Sequence, residues 1–276
     1  MMKLFASLSL LVLLAGCAAT KLPETSQNPF EGKPGTMLTV APTSLRVGHK
    51  QPTFGAYQTS DIRRGWITTR ERSGGVLRPG ASGSPVLDVL SLPYAQRLTT
   101  EDSKMQFAFR DDQARTADVY TTTKSVTQSV VSKVPLLGQI DPELLSKTTE
   151  TFNAIIVGPQ IGTTNAWNLL LSTNNKTGFE RDNQAPVIGL VGDEDQVLLR
   201  IRLVPHPPVT NKEGKQVPWP AWGGPGGIEI LHEQQRVGFI DYTAAKLFIW
   251  LRDDMSPELR FLTATTVATL LMKEGL

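Results

Sequence analysis

Residues 261–272 (FLTATTVATLLM) carry no charge, and Ser256-Pro257-Glu258 stands just before them. Serine caps a helix, proline suits its first position, and an early acid complements the positive end of the helix dipole. The pattern predicts a helix over residues 256–273. A helix at a protein surface shows a polar stripe, and here only threonines interrupt the apolar surface. A threonine hydroxyl can bond the carbonyl one turn back, so it is tolerated without solvent. The segment is short of the roughly 20 residues that span a bilayer. The expectation is a helix surrounded on all sides by protein.

The rest of the chain must supply that surround, and most of it reads as strands. Residues 228–232 (IEILH), 236–243 (RVGFIDYT) and 246–252 (KLFIWLR) form a meander with short turns. In residues 196–204 (QVLLRIRLV), Leu199, Ile201 and Leu203 alternate with Arg200 and Arg202, as in a half-buried strand. Further strands are predicted within residues 54–69, at 105–109, 117–123, 154–157, 167–172 and 187–191. Residues 73–86 read as a Gly/Ser/Pro loop. Residues 124–134 fit helix or strand, with a composition favouring strand. Asp141-Pro142-Glu143 predicts a short helix with Leu144, Leu145, Thr148 and Phe152 on one face. The fold class is mainly β: an antiparallel barrel or barrel-like sheet packed around the C-terminal helix. A sandwich with the helix on one face would use the same pattern.

The segment 226–272 resembles the end of the tubby-like barrel group, which includes the tubby C-terminal domain, the phospholipid scramblases and the LURP-type plant proteins. Gly238 within RVGFID and the late helix of Ala, Thr and Leu carry the likeness. The resemblance implies a closed antiparallel barrel threaded by that helix. It transfers no site, because no cluster matches the basic residues with which tubby proteins bind phosphoinositides.

The N-terminus gives an address. Lys3 precedes an apolar run from Leu4 to Leu14 that Ser7 and Ser9 interrupt, followed by Ala15, Gly16 and Cys17. A basic start, an apolar core of about ten residues and small residues at a cleavage site make a secretory signal rather than a membrane span. Leu14-Ala15-Gly16-Cys17 resembles the lipobox of bacterial lipoproteins. That likeness implies diacylglyceryl transfer to Cys17, removal of residues 1–16 and acylation of the new amino terminus. Two or three acyl chains anchor firmly where one does not. Ala18 in place of Asp implies the outer membrane in Gram-negative bacteria, with the domain facing the periplasm. Cys17 is the one cysteine, so no internal disulfide can form and a hydrophobic core must stabilise the fold. Residues 17–36 read as a flexible tether and 37–276 as a single β-rich domain.

Several activities lack their residues. Loss of residues 1–16 removes Lys3 alone among charged residues, so the formal charge falls from +2 to +1. That balance carries no nucleic-acid footprint. Gly80-Ala81-Ser82-Gly83-Ser84-Pro85-Val86 looks like a chymotrypsin-type nucleophile loop, but the upstream His49 is too near for a two-barrel protease. His49, His206 and His232 show no metal-ligand spacing, and Asp193-Glu194-Asp195 reads as a solvated hairpin turn. No cofactor is expected.

Residues 205–227 are the candidate binding element: a long Pro/Gly-rich loop carrying Trp219 and Trp222. Exposed tryptophans favour binding, and the alternative is that they plug a barrel end. The functional expectation is an envelope-anchored, non-enzymatic lipoprotein that binds a protein or lipid partner. The alternatives are a lipid-handling barrel and an envelope hydrolase built on Asp61, His49 and Ser82.

Overall fold

A computed structural model describes residues 26–41, 51–77, 94–132, 147–176, 188–210, 215–217, 225–244 and 246–273. Its first strands are β1 (Gly35–Thr39), β2 (Thr53–Phe54), β3 (Tyr57–Arg64), β4 (Thr68–Leu77), β5 (Tyr94–Arg110), β6 (Thr116–Ser132), β7 (Lys147–Ile161) and β8 (Thr164–Lys176). Then come β9 (Ile188–Gly192), β10 (Val197–Val204), β11 (Val209–Thr210), β12 (Gln216–Val217), β13 (Gly227–His232), β14 (Gln235–Asp241), β15 (Phe248–Arg252) and the helix α1 (Pro257–Met272). The order around the main sheet is β1-β15-β14-β13-β10-β9-β8-β7-β6-β5-β3-β2, and every pairing is antiparallel. Among the described residues, β11 and β12 pair only with each other. A bridge between Val40 and Phe54 and the bond from the Ala41 amide to the Thr53 carbonyl (3.0 Å) bring the two ends of this order together. The result is a nearly closed barrel, and α1 runs through it.

Helix α1 starts as the sequence predicts. Ser256 is its N-cap, accepting from the Leu259 amide at 3.2 Å, with Pro257 in the first turn and Glu258 beside it. Every residue from 261 to 272 is buried, so the helix has no solvated face. The four threonines solve their own problem. Thr263, Thr265, Thr266 and Thr269 donate to the carbonyls of Leu259, Phe261, Leu262 and Thr265 at 2.8–2.9 Å. Gly238 lets the wall approach the helix, since a Cβ there would meet Thr263 Cγ2 at 2.9 Å. At the helix's N-terminal end Phe54, Tyr57, Phe109 and Phe261 pack ring to ring. Phe107, Val119, Ile156, Trp167, Leu199 and Ile230 line the wall.

Three local expectations change. The helix predicted from 141 gives way by Lys147, where β7 begins, and residues 141–146 lie outside the described residues. Thr148 and Phe152 are four apart, which suits one helix face but equally suits one strand face. Both belong to an eleven-residue ladder between β6 and β7 that a helix would forfeit. The loop at 73–86 also starts later, because β4 runs to Leu77 and a register shift between Ser73 and Val76 absorbs Gly74 and Gly75. Finally, residues 26–36 are not free tether. Phe30 is buried edge-on against Trp250, centroids 6.4 Å apart, and Asn28 folds the strap by bonding the Phe30 amide and the Lys33 carbonyl, both at 3.0 Å. Composition hid this because one aromatic ring suffices to dock a polar segment.

Tyr242 illustrates what the wall costs. Its hydroxyl is buried without a partner among the described residues, and burial pushes its pKa up to about 12. The unfolded chain ionises near 10, so the neutral hydroxyl favours the fold below pH 10 and that contribution drains away between pH 10 and about 12. Tyr242→Phe is expected to raise stability by about 1 kcal/mol at pH 7 and to flatten this alkaline loss, measured by urea unfolding at a series of pH values.

Candidate functional site

The barrel wall is uneven. The side formed by β9, β10 and β13 to β15 has strands of 5–8 residues, whereas β5 to β8 have 13–17. The short turns at 111–115 and 162–163 place Phe109 beside Phe261, at the helix's entry end. The extra length therefore rises beyond the other end, where α1 stops at Met272. β4 joins this extension by pairing with residues 94–102 of β5.

The inward residues change character at that level. Along β5, Phe109 and Phe107 lead to Met105, Ser103 and Glu101; along β6, Val119 leads to Thr121, Thr123 and Ser125. Along β7, Ile156, Ala154 and Phe152 lead to Glu150 and Thr148. Apolar residues face the helix, and polar residues face the space the helix does not reach. A hollow of about 230 Å³ opens there, floored by Met105, Phe152 and Met272. Lys273 ends the helix inside it, 7 % exposed and ion-paired with Glu150. Arg64, Lys104 and Glu101 stand around the hollow, and Thr127 bonds Thr148 across the strands at 3.1 Å. Such a surface can hold a polar ligand or a chain segment through hydrogen bonds and charge.

A second cleft, about 380 Å³, lies where the strap crosses the outer face of β13 to β15. Its centre is Glu229, whose side chain is 2 % exposed. Flanked by Ile228 and Ile230, which face the core, Glu229 points outward and is covered. It binds Arg202 and takes two bonds from Arg236, at 3.0 and 2.6 Å. Arg236 also donates to the Pro29 carbonyl at 2.6 Å, and Lys33 to Gln235 at 2.9 Å. Ser26 is bonded to Asp241 and accepts from the Trp250 indole at 2.7 Å. The cleft thus pins the strap with charge-assisted hydrogen bonds. Its acid was legible as the one charge in an apolar strand, but its two arginine partners come from different strands.

Cys17, Trp219 and Trp222 lie outside the described residues, as do His49 and Ser82. Asp61, the remaining member of that trio, is exposed, with φ 52°. Neither cleft is lined by a histidine. His206 meets the Pro207 carbonyl at 2.8 Å and His232 the Leu198 carbonyl at 3.0 Å. Among the described residues no three His, Cys, Asp or Glu gather as a metal site. The acidic turn is a hairpin turn between β9 and β10: Asp193 caps the amides of Asp195 and Gln196 at 3.0 and 2.8 Å. The Thr164 hydroxyl at 2.7 Å and those amides hold its carboxyl below the usual range.

Comparison with protein-family models, with curated proteins and with solved structures finds no match to the chain.

Proposed function

We propose that the chain is an envelope lipoprotein, anchored through Cys17 on the periplasmic face of the outer membrane, that works by binding a protein or lipid partner and not by catalysis. The observation that carries the binding reading is the filled interior. Residues 261–272 are buried all round, so among the described residues the helix itself takes up the space beside the strands that a substrate or an acyl chain would need. What the barrel offers lies past the end of the helix: the polar hollow above Met272 and the tall wall beside it. Kinship with the tubby-like group remains part of this proposal, supported by a C-terminal helix enclosed by antiparallel strands.

The anchor reading rests on Leu14-Ala15-Gly16-Cys17. Ser26, the first described residue of the strap, is bonded to Trp250; it stands nine positions after Cys17, and nine residues reach about 30 Å at most. A barrel so tethered stays within its own dimensions of the bilayer, where a membrane-associated partner is met.

Labelling with radioactive palmitate tests the anchor. The wild-type chain is expected to take up label and to sediment with membranes. Cys17→Ala is expected to lose both properties while its circular dichroism stays unchanged. Label persisting in Cys17→Ala, or an unlabelled wild type, would overturn the anchor. Photo-crosslinking from Ser125 in intact envelopes tests the binding reading: a discrete adduct supports it, and an adduct-free hollow removes the hollow from it.

A further inference from the structure

The cleft under the strap keeps an unused pair of donors. Glu229 bonds the Nε of Arg202, and among the described residues the two terminal nitrogens of that guanidinium bond nothing. Arg236 differs, because Glu229 and the Pro29 carbonyl engage all three of its nitrogens. The Arg202 side chain is 60 % exposed, while the carboxylate that steers it is 2 % exposed. A buried acid therefore holds a solvated fork in place. Two N–H groups on one guanidinium match the two oxygens of a carboxylate. Further cations surround the fork. Lys33 and Arg252 line the same cleft and both donate to Gln235 Oε1 at 2.9 Å. Arg200 is exposed on the outer face of β10, two residues before Arg202 and opposite Leu231, another lining residue.

We propose that this cleft docks an extended acidic segment of a partner protein, with carboxylates at alternate positions: one in the fork of Arg202 and the next on Arg200. The proposal rests on the reading that the chain binds a protein partner, and it uses neither the polar hollow nor the lipid anchor. Spacing carries it. Arg200 and Arg202 lie about 7 Å apart along one face of β10, and alternate residues of an extended peptide repeat that distance on one side. The occupant is a chain because the cations outrun the cleft. At about 380 Å³ the cleft matches a small-ligand pocket, and a ligand confined to it leaves Arg200 unmet. The occupant is a peptide and not a bilayer because acids stand among the bases. Glu31 and Glu229 line the cleft, and Asp254 pairs with Arg252 at 2.5 Å. An anionic bilayer responds to net charge, about 1 kcal/mol per basic residue near its surface, and those three acids cancel most of that attraction. A peptide carboxylate responds to position, and the Arg202 fork is positioned.

Fluorescence anisotropy tests the site on the whole chain carrying Cys17→Ala, held in detergent. The probe is a fluorescein-labelled peptide of alternating Ser and Glu with three of each. It is expected to bind saturably at low salt and more weakly as salt is added, since exposed charges are screened. Arg202→Ala should weaken binding by about tenfold or more. Arg202→Lys should weaken it nearly as much, because lysine keeps the charge and loses the fork. Arg70→Ala, which removes an exposed cation from β4, should stay within about twofold of the parent. A peptide with its three Glu in one block should bind at least about threefold more weakly than the alternating one. Circular dichroism checks that each variant keeps the fold. Absence of saturable binding would overturn the proposal, as would a loss at Arg202 no greater than at Arg70. Full binding by Arg202→Lys, or equal binding of the two peptides, would overturn it as well. So would phosphatidylglycerol vesicles that bind through Arg202 while the peptide does not. In each of these cases the crosslink from Ser125 still reports on the hollow separately.

Discussion

Phe261→Ala is expected to cost the fold about 3–5 kcal/mol, read as a lower urea midpoint at unchanged slope. Phe261 is 1 % exposed, its ring lies 5.6 Å from that of Phe109, and the Arg115 guanidinium sits 5.4 Å above it. Truncation empties the place where the helix enters the barrel. The neighbours cannot collapse into the void, because Phe54, Tyr57 and Phe109 are fixed by their strands. It also strips Arg115 of a ring while leaving its bond to Asp111 at 2.7 Å. A loss under about 1 kcal/mol would mean that the helix is not gripped there, and the enclosed-helix architecture would fail with it.

Glu229→Ala ranks second, with an expected cost of about 2 kcal/mol. Removing one partner of a buried ion pair commonly costs more, about 3–5 kcal/mol. Here Arg202 and Arg236 keep 60 % and 29 % of their side-chain exposure and can rehydrate, which lowers the figure. The strap gives a second readout. Arg236 loses the carboxylate that orients it toward the Pro29 carbonyl, so proteolytic cleavage around residues 26–34 should accelerate. Arg202→Ala, by contrast, should cost less than about 1 kcal/mol, because that partner is mostly solvated. Equal costs for the two substitutions would count against the buried carboxylate as the hub.

How far the chain could be read without coordinates varies by segment. The late helix was readable to its N-cap because 261–272 admit only one environment: with no polar stripe, they must be covered everywhere. The strand of Leu199, Ile201 and Leu203 was readable because alternation states which face is wet. The tether boundary was not, since the docking of Phe30 depends on Trp250, more than two hundred residues away. From Lys147 onward the helix assigned from 141 is a strand, because the spacing of four between Thr148 and Phe152 satisfies both helical and strand periods, and only the partners β6 and β8 decide between them. The hollow was invisible in one dimension. The change from Phe107 and Val119 to Ser103 and Thr123 reads as ordinary polarity until the helix end is known to lie at that height.

Sequence by itself determined the secondary-structure class, the enclosed helix and the single cysteine. Each of these follows from composition or periodicity within a short window. Only the tertiary structure decided the ring of strands, the tall wall over Met272 and the hub at Glu229. Those depend on which distant strands pair and how far each extends past its neighbour. Register is set by the sum of weak contacts along whole ladders, which no local window contains.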